Sequence, residues 1–210
     1  MTGAPLWAQQ SIATTLSEYL PNQCEYAGDF NQIRELKDVP VPLASSGKFV
    51  FSCNLGLLWQ ISHPLRETIV YSADSGHFKV DDAGNITLLT GVVHNNMAKL
   101  LHALMGGDQQ YLLDLFSAVE QSSEEKIILT PKSQSVARHL TQVELSKMHR
   151  PVSIRMLNGD SGTTLLEPSN ILSFDGLTRQ QCKSWVEHNM EACNVLFEPD
   201  IQRRNLNSDK

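Results

Sequence analysis

The sequence predicts an α+β fold, one large curved antiparallel sheet of about 11 strands with helices over its hollow side. Three observations carry this reading. Apolar residues recur with period two from Cys24 to about Thr90, broken at intervals by turn residues. The period lengthens to that of a helix after Gly91, and period two returns between about 124 and 174. With 210 residues, of which 41% are hydrophobic and 19% charged, the chain can bury enough surface to support its own core. A single domain over residues 1–198 is expected, with a polar tail over 199–210.

Each element has its own signal. Leu6, Ile12, Leu16, Tyr19 and Leu20 share one face of a helix over 5–20, which Pro21 ends. Tyr26, Gly28, Phe30 and Gln32 alternate with Ala27, Asp29 and Asn31 in a first strand. Phe49, Phe51 and Cys53 mark a second, after a Pro40/Pro42 turn, and Leu57, Trp59 and Ile61 a third that stops at Pro64. Ile69 and Tyr71, then Phe78 and Val80, then Ile86 and Leu88 mark three more, in meander order. Val93, Met97, Leu100, Leu101 and Leu104 then form the clearest helical stripe. Gly106-Gly107 closes that helix, and Asp108 caps a second one through Phe116. Strands are expected again at Lys126–Thr130, Leu140–Ser146, Val152–Asn158, Thr163–Glu167 and Asn170–Phe174. A helical segment over 177–194 carries Cys182, Trp185 and Cys193.

A sheet of this size curls, and its concave face must be filled. The helices at 5–20 and 92–116 are the available fillers. The apolar side chains facing them form either a plain core or the lining of a cavity suited to an acyl chain, each methylene of which contributes about 0.8 kcal/mol on leaving water. Phe30, Phe49, Phe51, Trp59, Ile61, Tyr71 and Phe78 from the strands, with Met97 and Leu101 from the helix, are the candidate lining residues.

Composition narrows the function. Lys plus Arg total 17 against 23 Asp plus Glu, for a net charge of -6, and no basic stripe with interleaved aromatics exists to neutralise phosphates. Nucleic acid is therefore not an expected partner. No apolar run has the roughly 20 residues that cross a bilayer as a helix. The first Lys or Arg is Arg34, so the chain as written lacks the basic start of a secretory signal.

Gly159-Asp160-Ser161-Gly162 matches the letters around the nucleophile of trypsin-like proteases, which makes a serine hydrolase the alternative reading. The string also consists of turn formers between two apolar runs, and no His stands in a recognisable partner motif. No enzymatic activity is expected. Seven scattered histidines show no metal-ligand spacing, and no Gly-rich phosphate loop follows a strand, so neither metal nor cofactor is expected. Cys24 and Cys53 fall opposite each other if the first two strands pair about a turn near Asp38 to Pro40, which permits a disulfide or two reduced cysteines. Cys182 and Cys193 would lie about 16 Å apart on one unbroken helix and could pair only across a bend.

Several local strings, in order, resemble the periplasmic outer-membrane lipoprotein carriers of the LolA-like family. They are Gly28-Asp29-Phe30-Asn31-Gln32, Pro42-Leu43-Ala44-Ser45-Ser46-Gly47-Lys48-Phe49, Gly56-Leu57-Leu58-Trp59 with His63-Pro64, Leu104-Met105-Gly106-Gly107-Asp108, Leu129-Thr130-Pro131 and Val152-Ser153-Ile154. The likeness runs from about residue 6 to about residue 175 and points to a divergent member. It implies an unclosed barrel under a helical lid. It also implies a non-enzymatic, monomeric carrier or chaperone that moves the acyl chains of a lipoprotein or other lipid through the periplasm. Donor and receiver would be an inner-membrane transporter and an outer-membrane acceptor, and the signal peptide would already be removed. The Ser-Ser-Gly-x-Phe and Gly-Leu-x-Trp strings look more like carrier-like proteins of polyene-lipid or glycolipid export systems. Where the family places a lid-holding Arg before the first-strand Phe, this chain has Asp29, an anion that cannot donate hydrogen bonds to backbone carbonyls.

Overall fold

The structure is a computed structural model and describes residues 14–121, 124–147, 151–159 and 162–201. One antiparallel sheet organises it. Its strands are β1 (Glu25–Glu35), β2 (Leu43–Ser52), β3 (Gly56–His63), β4 (Glu67–Ser72), β5 (His77–Val80), β6 (Ile86–Leu89), β7 (Phe116–Gln121), β8 (Lys126–Pro131), β9 (Gln142–Ser146), β10 (Ser153–Leu157) and β11 (Thr163–Ser173). Their spatial order is β6-β5-β4-β3-β2-β1-β11-β10-β9-β8-β7, so β6 and β7 are free edges and the barrel stays unclosed. The first and last strands meet at the centre, where Tyr26 pairs with Ser173 and Glu35 with Thr163. Helices are α1 (residues 14–17), α2 (Val92–Gly106), α3 (Gln109–Leu115), α4 (Gln134–Ala137), α5 (Arg179–Trp185) and α6 (Glu191–Phe197).

Alternation along the strands divides the apolar residues between two faces. On the concave face, Tyr26, Phe30, Phe49, Phe51, Leu57 and Trp59 form one cluster with Met105 of α2. Beside it, Leu16 and Tyr19 pack with Leu104, Leu112 and Phe116 against Ile127, Leu129 and Val143 of β8 and β9. On the convex face, Ala27, Val50, Leu58, Val70, Phe78 and Val80 are covered by Leu177, Cys182, Val186, Val195 and Leu196.

Local chemistry explains the boundaries. Gly107 is left-handed at φ 70° and donates its N–H to Ala103 O, closing α2. The Asp108 carboxylate accepts from Tyr111 N at 3.0 Å and starts α3. Gly47 sits at a bulge in β2, where a Cβ would strike the Gln60 carbonyl of β3. Thr178 and Gln181 satisfy each other's backbone N–H groups in a capping box that opens α5.

Several expected elements are placed differently. The expected helix over 5–20 is helical at 14–17 of its described part, residues 1–13 lying outside the described residues. Phe116 opens strand β7, which the expected helix end had concealed. The two strands expected at 163–167 and 170–174 are one, β11, which absorbs the break through a register shift against Ala27/Asp29 and a positive φ of 50° at Asn170. The expected single helical segment 177–194 is bent between α5 and α6, which brings the Cα atoms of Cys182 and Cys193 to 5.9 Å in a disulfide. Cys24 and Cys53 are also disulfide-bonded, with a Cα separation of 5.0 Å beside the pair Glu25↔Ser52. The expected tail begins with helical residues 199–201, and Ser75 Oγ donates to the Asp200 carboxylate at 2.6 Å.

Candidate lipid-binding cavity

A cavity of about 540 Å³ opens between the concave face and the helices, within the range that holds small organic ligands. Its floor is aromatic. Phe30 stacks on Trp59 with ring centroids 3.8 Å apart and planes 22° from parallel, and Phe49 lies 6.0 Å beyond Trp59. These rings come from β1, β2 and β3 at alternate positions, so one pleat surface presents them together. Leu101, Leu104 and Met105 of α2 form the roof, while Ile154, Leu166 and Pro168 close the side at β10 and β11. Residues 18–23, which follow α1, supply the remaining wall.

Two contacts hold the roof. Tyr26 Oη, buried on β1, donates to the Met105 carbonyl at 2.9 Å, fastening the last turn of α2 to the sheet. Burial pushes the Tyr26 pKa up, so the phenol stays protonated and remains a donor. His102 Nε2 lies 3.1 Å from the Cys53 carbonyl, next to the Cys24–Cys53 bridge.

Exposed residues Glu18, Asn22, Gln23 and Ile171 form the rim. Lys147, at the end of β9, reaches in with its ammonium 4.1 Å over the Tyr19 ring and 2.7 Å from the Glu18 carboxylate. Burial raises the Tyr19 pKa, and Lys147 opposes that rise.

The residues singled out from the sequence fall into five places. Phe30, Phe49, Trp59 and Leu101 line the cavity. Phe51 and Ile61 pack with the same aromatic cluster without reaching the cavity surface. Tyr71 lines a separate groove of about 630 Å³ with Leu57, His77 and His102, and Met97 is half-buried on α2. Phe78 is a correction: it is fully buried on the convex face with Val70 and Val80. Its parity in β5 decides this, because Phe78 pairs with Val70 of the convex cluster while His77 pairs with Tyr71. Lining by Tyr26, Leu104, Met105, Ile154 and Leu166 was missed. Tyr26 had a signal, since it shares its pleat with Phe30.

Asp29 is also not at the lid. It points to the convex side, 2.8 Å from Lys48 Nζ, and accepts from Asn170 Nδ2 at 2.7 Å. Burial raises its pKa, but the hydrogen bonds from Lys48 and Asn170 outweigh that, and the carboxyl sits below its usual range. Lys48 in turn lies 4.9 Å over the Trp185 ring and 3.7 Å from Glu187, so this charge pair anchors the bend between α5 and α6. Gln60 completes the anchor by donating to His188 O and accepting from Glu187 N at 3.0 Å. Gly159 and Gly162 lie between β10 and β11, while Asp160 and Ser161 lie outside the described residues.

No known family profile matches the chain, and no curated protein sequence does. Among solved structures it is similar to a DUF1329 family protein from Desulfovibrio piger, at 12% identity and a TM-score of 0.48, over 84% of this chain and 96% of that one. It is similar to the Pseudomonas aeruginosa MucA/MucB complex at 12% identity and a TM-score of 0.43, over 83% of this chain and 60% of that one. It is also similar to a LolA superfamily protein from Nitrosomonas europaea, at 13% identity and a TM-score of 0.46, over 81% of this chain and 95% of that one.

Proposed function

We propose that the protein is a non-enzymatic, extracytoplasmic carrier that shelters an acyl chain of a lipoprotein or other lipid in the cavity between sheet and helices. The observation that carries this reading is the cavity itself: about 540 Å³, walled by stacked rings and aliphatic side chains, with Glu18 and Lys147, the charged side chains among its described lining residues, at the rim. An acyl chain entering it leaves water at about 0.8 kcal/mol per methylene, enough for micromolar affinity after the cost of association. Two disulfides support an oxidising compartment such as the periplasm. The carrier-like strings of the sequence support the same reading, including the polyene-lipid or glycolipid variant. A membrane donor and a membrane acceptor are its implied partners.

Trp59 supplies the test, because it stands in the cavity floor. A bromine-labelled fatty acid titrated into the full chain should quench its fluorescence saturably, and Trp59→Phe should remove that quenching while retaining the ligand. Leu101→Asp, at a half-buried roof position, should weaken binding at least tenfold with an unchanged circular dichroism spectrum. Absence of saturable binding by every acylated probe sinks the carrier reading. An esterase activity abolished by Ser161→Ala would replace it with the hydrolase alternative.

A further inference from the structure

We infer that the cavity selects acyl lipids with an anionic headgroup, a carboxylate or phosphate, and that Lys147 receives it at the rim in exchange for Glu18. The inference rests on the carrier reading and names the ligand class for the same site.

Among the described residues lining the cavity, the charged side chains are Lys147 and Glu18. Their environments are unequal. The Lys147 side chain is 16% exposed and lies against the Tyr19 ring, whereas that of Glu18 is 63% exposed. A carboxylate so open to solvent is readily solvated by water once it parts from Lys147. An ammonium held against apolar surface lacks that recourse and must keep an anion nearby.

The wall formed by residues 18–23 couples this asymmetry to ligand entry. Glu18 and Tyr19 belong to that wall, so displacing it to admit a tail removes both the carboxylate and the ring from Lys147. Lys147 itself stays, because β9 precedes it directly and its N–H is bonded to the Glu125 carbonyl at 3.0 Å. A headgroup carrying negative charge restores the lost pairing, and a neutral headgroup does not. Glu120 and Glu125 act electrostatically on Tyr19, but neither lines the cavity. The exchange therefore rewards an anion at the position Glu18 vacates.

The experiment compares palmitate with neutral monopalmitoylglycerol, by calorimetry on the full chain at pH 8 and low salt. The wild type should bind palmitate at least tenfold more tightly. Lys147→Gln should bring that ratio to about one, through a loss of palmitate affinity. Glu18→Gln should raise it about threefold, a change opposite in sign to the first and not expected from damaged packing. Equal binding of both lipids by the wild type, or an unchanged ratio in Lys147→Gln, overturns the inference and leaves the carrier reading intact. Binding of neither lipid overturns the inference, and the carrier reading falls with it if no acylated probe binds saturably.

Discussion

Single side chains set the terms on which the two faces are built. At Gly47, any Cβ meets the Gln60 carbonyl, a backbone atom that cannot turn away. Gly47→Ala should therefore destabilise the protein by about 1–3 kcal/mol, measured by urea unfolding, and disturb the Phe49 and Trp59 rings beside it. Asp29 makes a pH prediction. Its folded pKa lies below the unfolded value of about 3.9, so its contribution is complete above that value and disappears as pH falls through the folded one. Acid should loosen the attachment of Trp185 and Glu187, and Asp29→Asn should flatten the pH dependence of stability below about pH 4. Alternation made Phe30, Phe49 and Trp59 readable as one surface. It could not place Phe78, because period two separates two faces without saying which is concave.

At the scale of elements, α2 depends on one buried hydrogen bond. Tyr26→Phe leaves the Met105 carbonyl without its donor and should cost about 1–2 kcal/mol, with faster amide exchange in the last turn of α2. The α5–α6 hairpin depends on its bridge, which closes a short loop between residues buried against the sheet. Replacing Cys182 and Cys193 with Ala should remove about 2–3 kcal/mol and expose the convex face to a hydrophobic dye. The bend itself was hidden in the sequence, because its anchors, Gln60 and Lys48, lie more than a hundred residues away. β7 escaped notice for a related reason: as an edge strand, it buries Phe116 while Val119, Glu120 and Gln121 remain exposed. Such a strand has almost no alternation to read.

For the whole molecule, the carrier reading predicts that ligand stabilises the fold it enters. At a hundred times its dissociation constant, an acylated ligand should add about 2.7 kcal/mol. For a chain of this size that is a rise in Tm of roughly 5–10 °C, visible by differential scanning calorimetry, and Leu101→Asp should abolish it. The strand meander and the principal lid helix were legible from periodicity and turn residues alone. The cavity was not, since its roof, floor and side join α2 to β1–β3 and to β10 and β11 through contacts that no local pattern encodes.

The central β1–β11 seam governs when this molecule can assemble. It joins residues 25–35 to 163–173, so most of the chain must be present before it forms. Until then β1 has no neighbour on one side, and the side of the cavity that β10 and β11 close is open. Such distant pairing makes folding slow, and a chain delivered gradually across a membrane would expose its aromatic floor for the whole interval. On the carrier reading, the surface that would shelter a lipid is thus the one most in need of shelter during biogenesis.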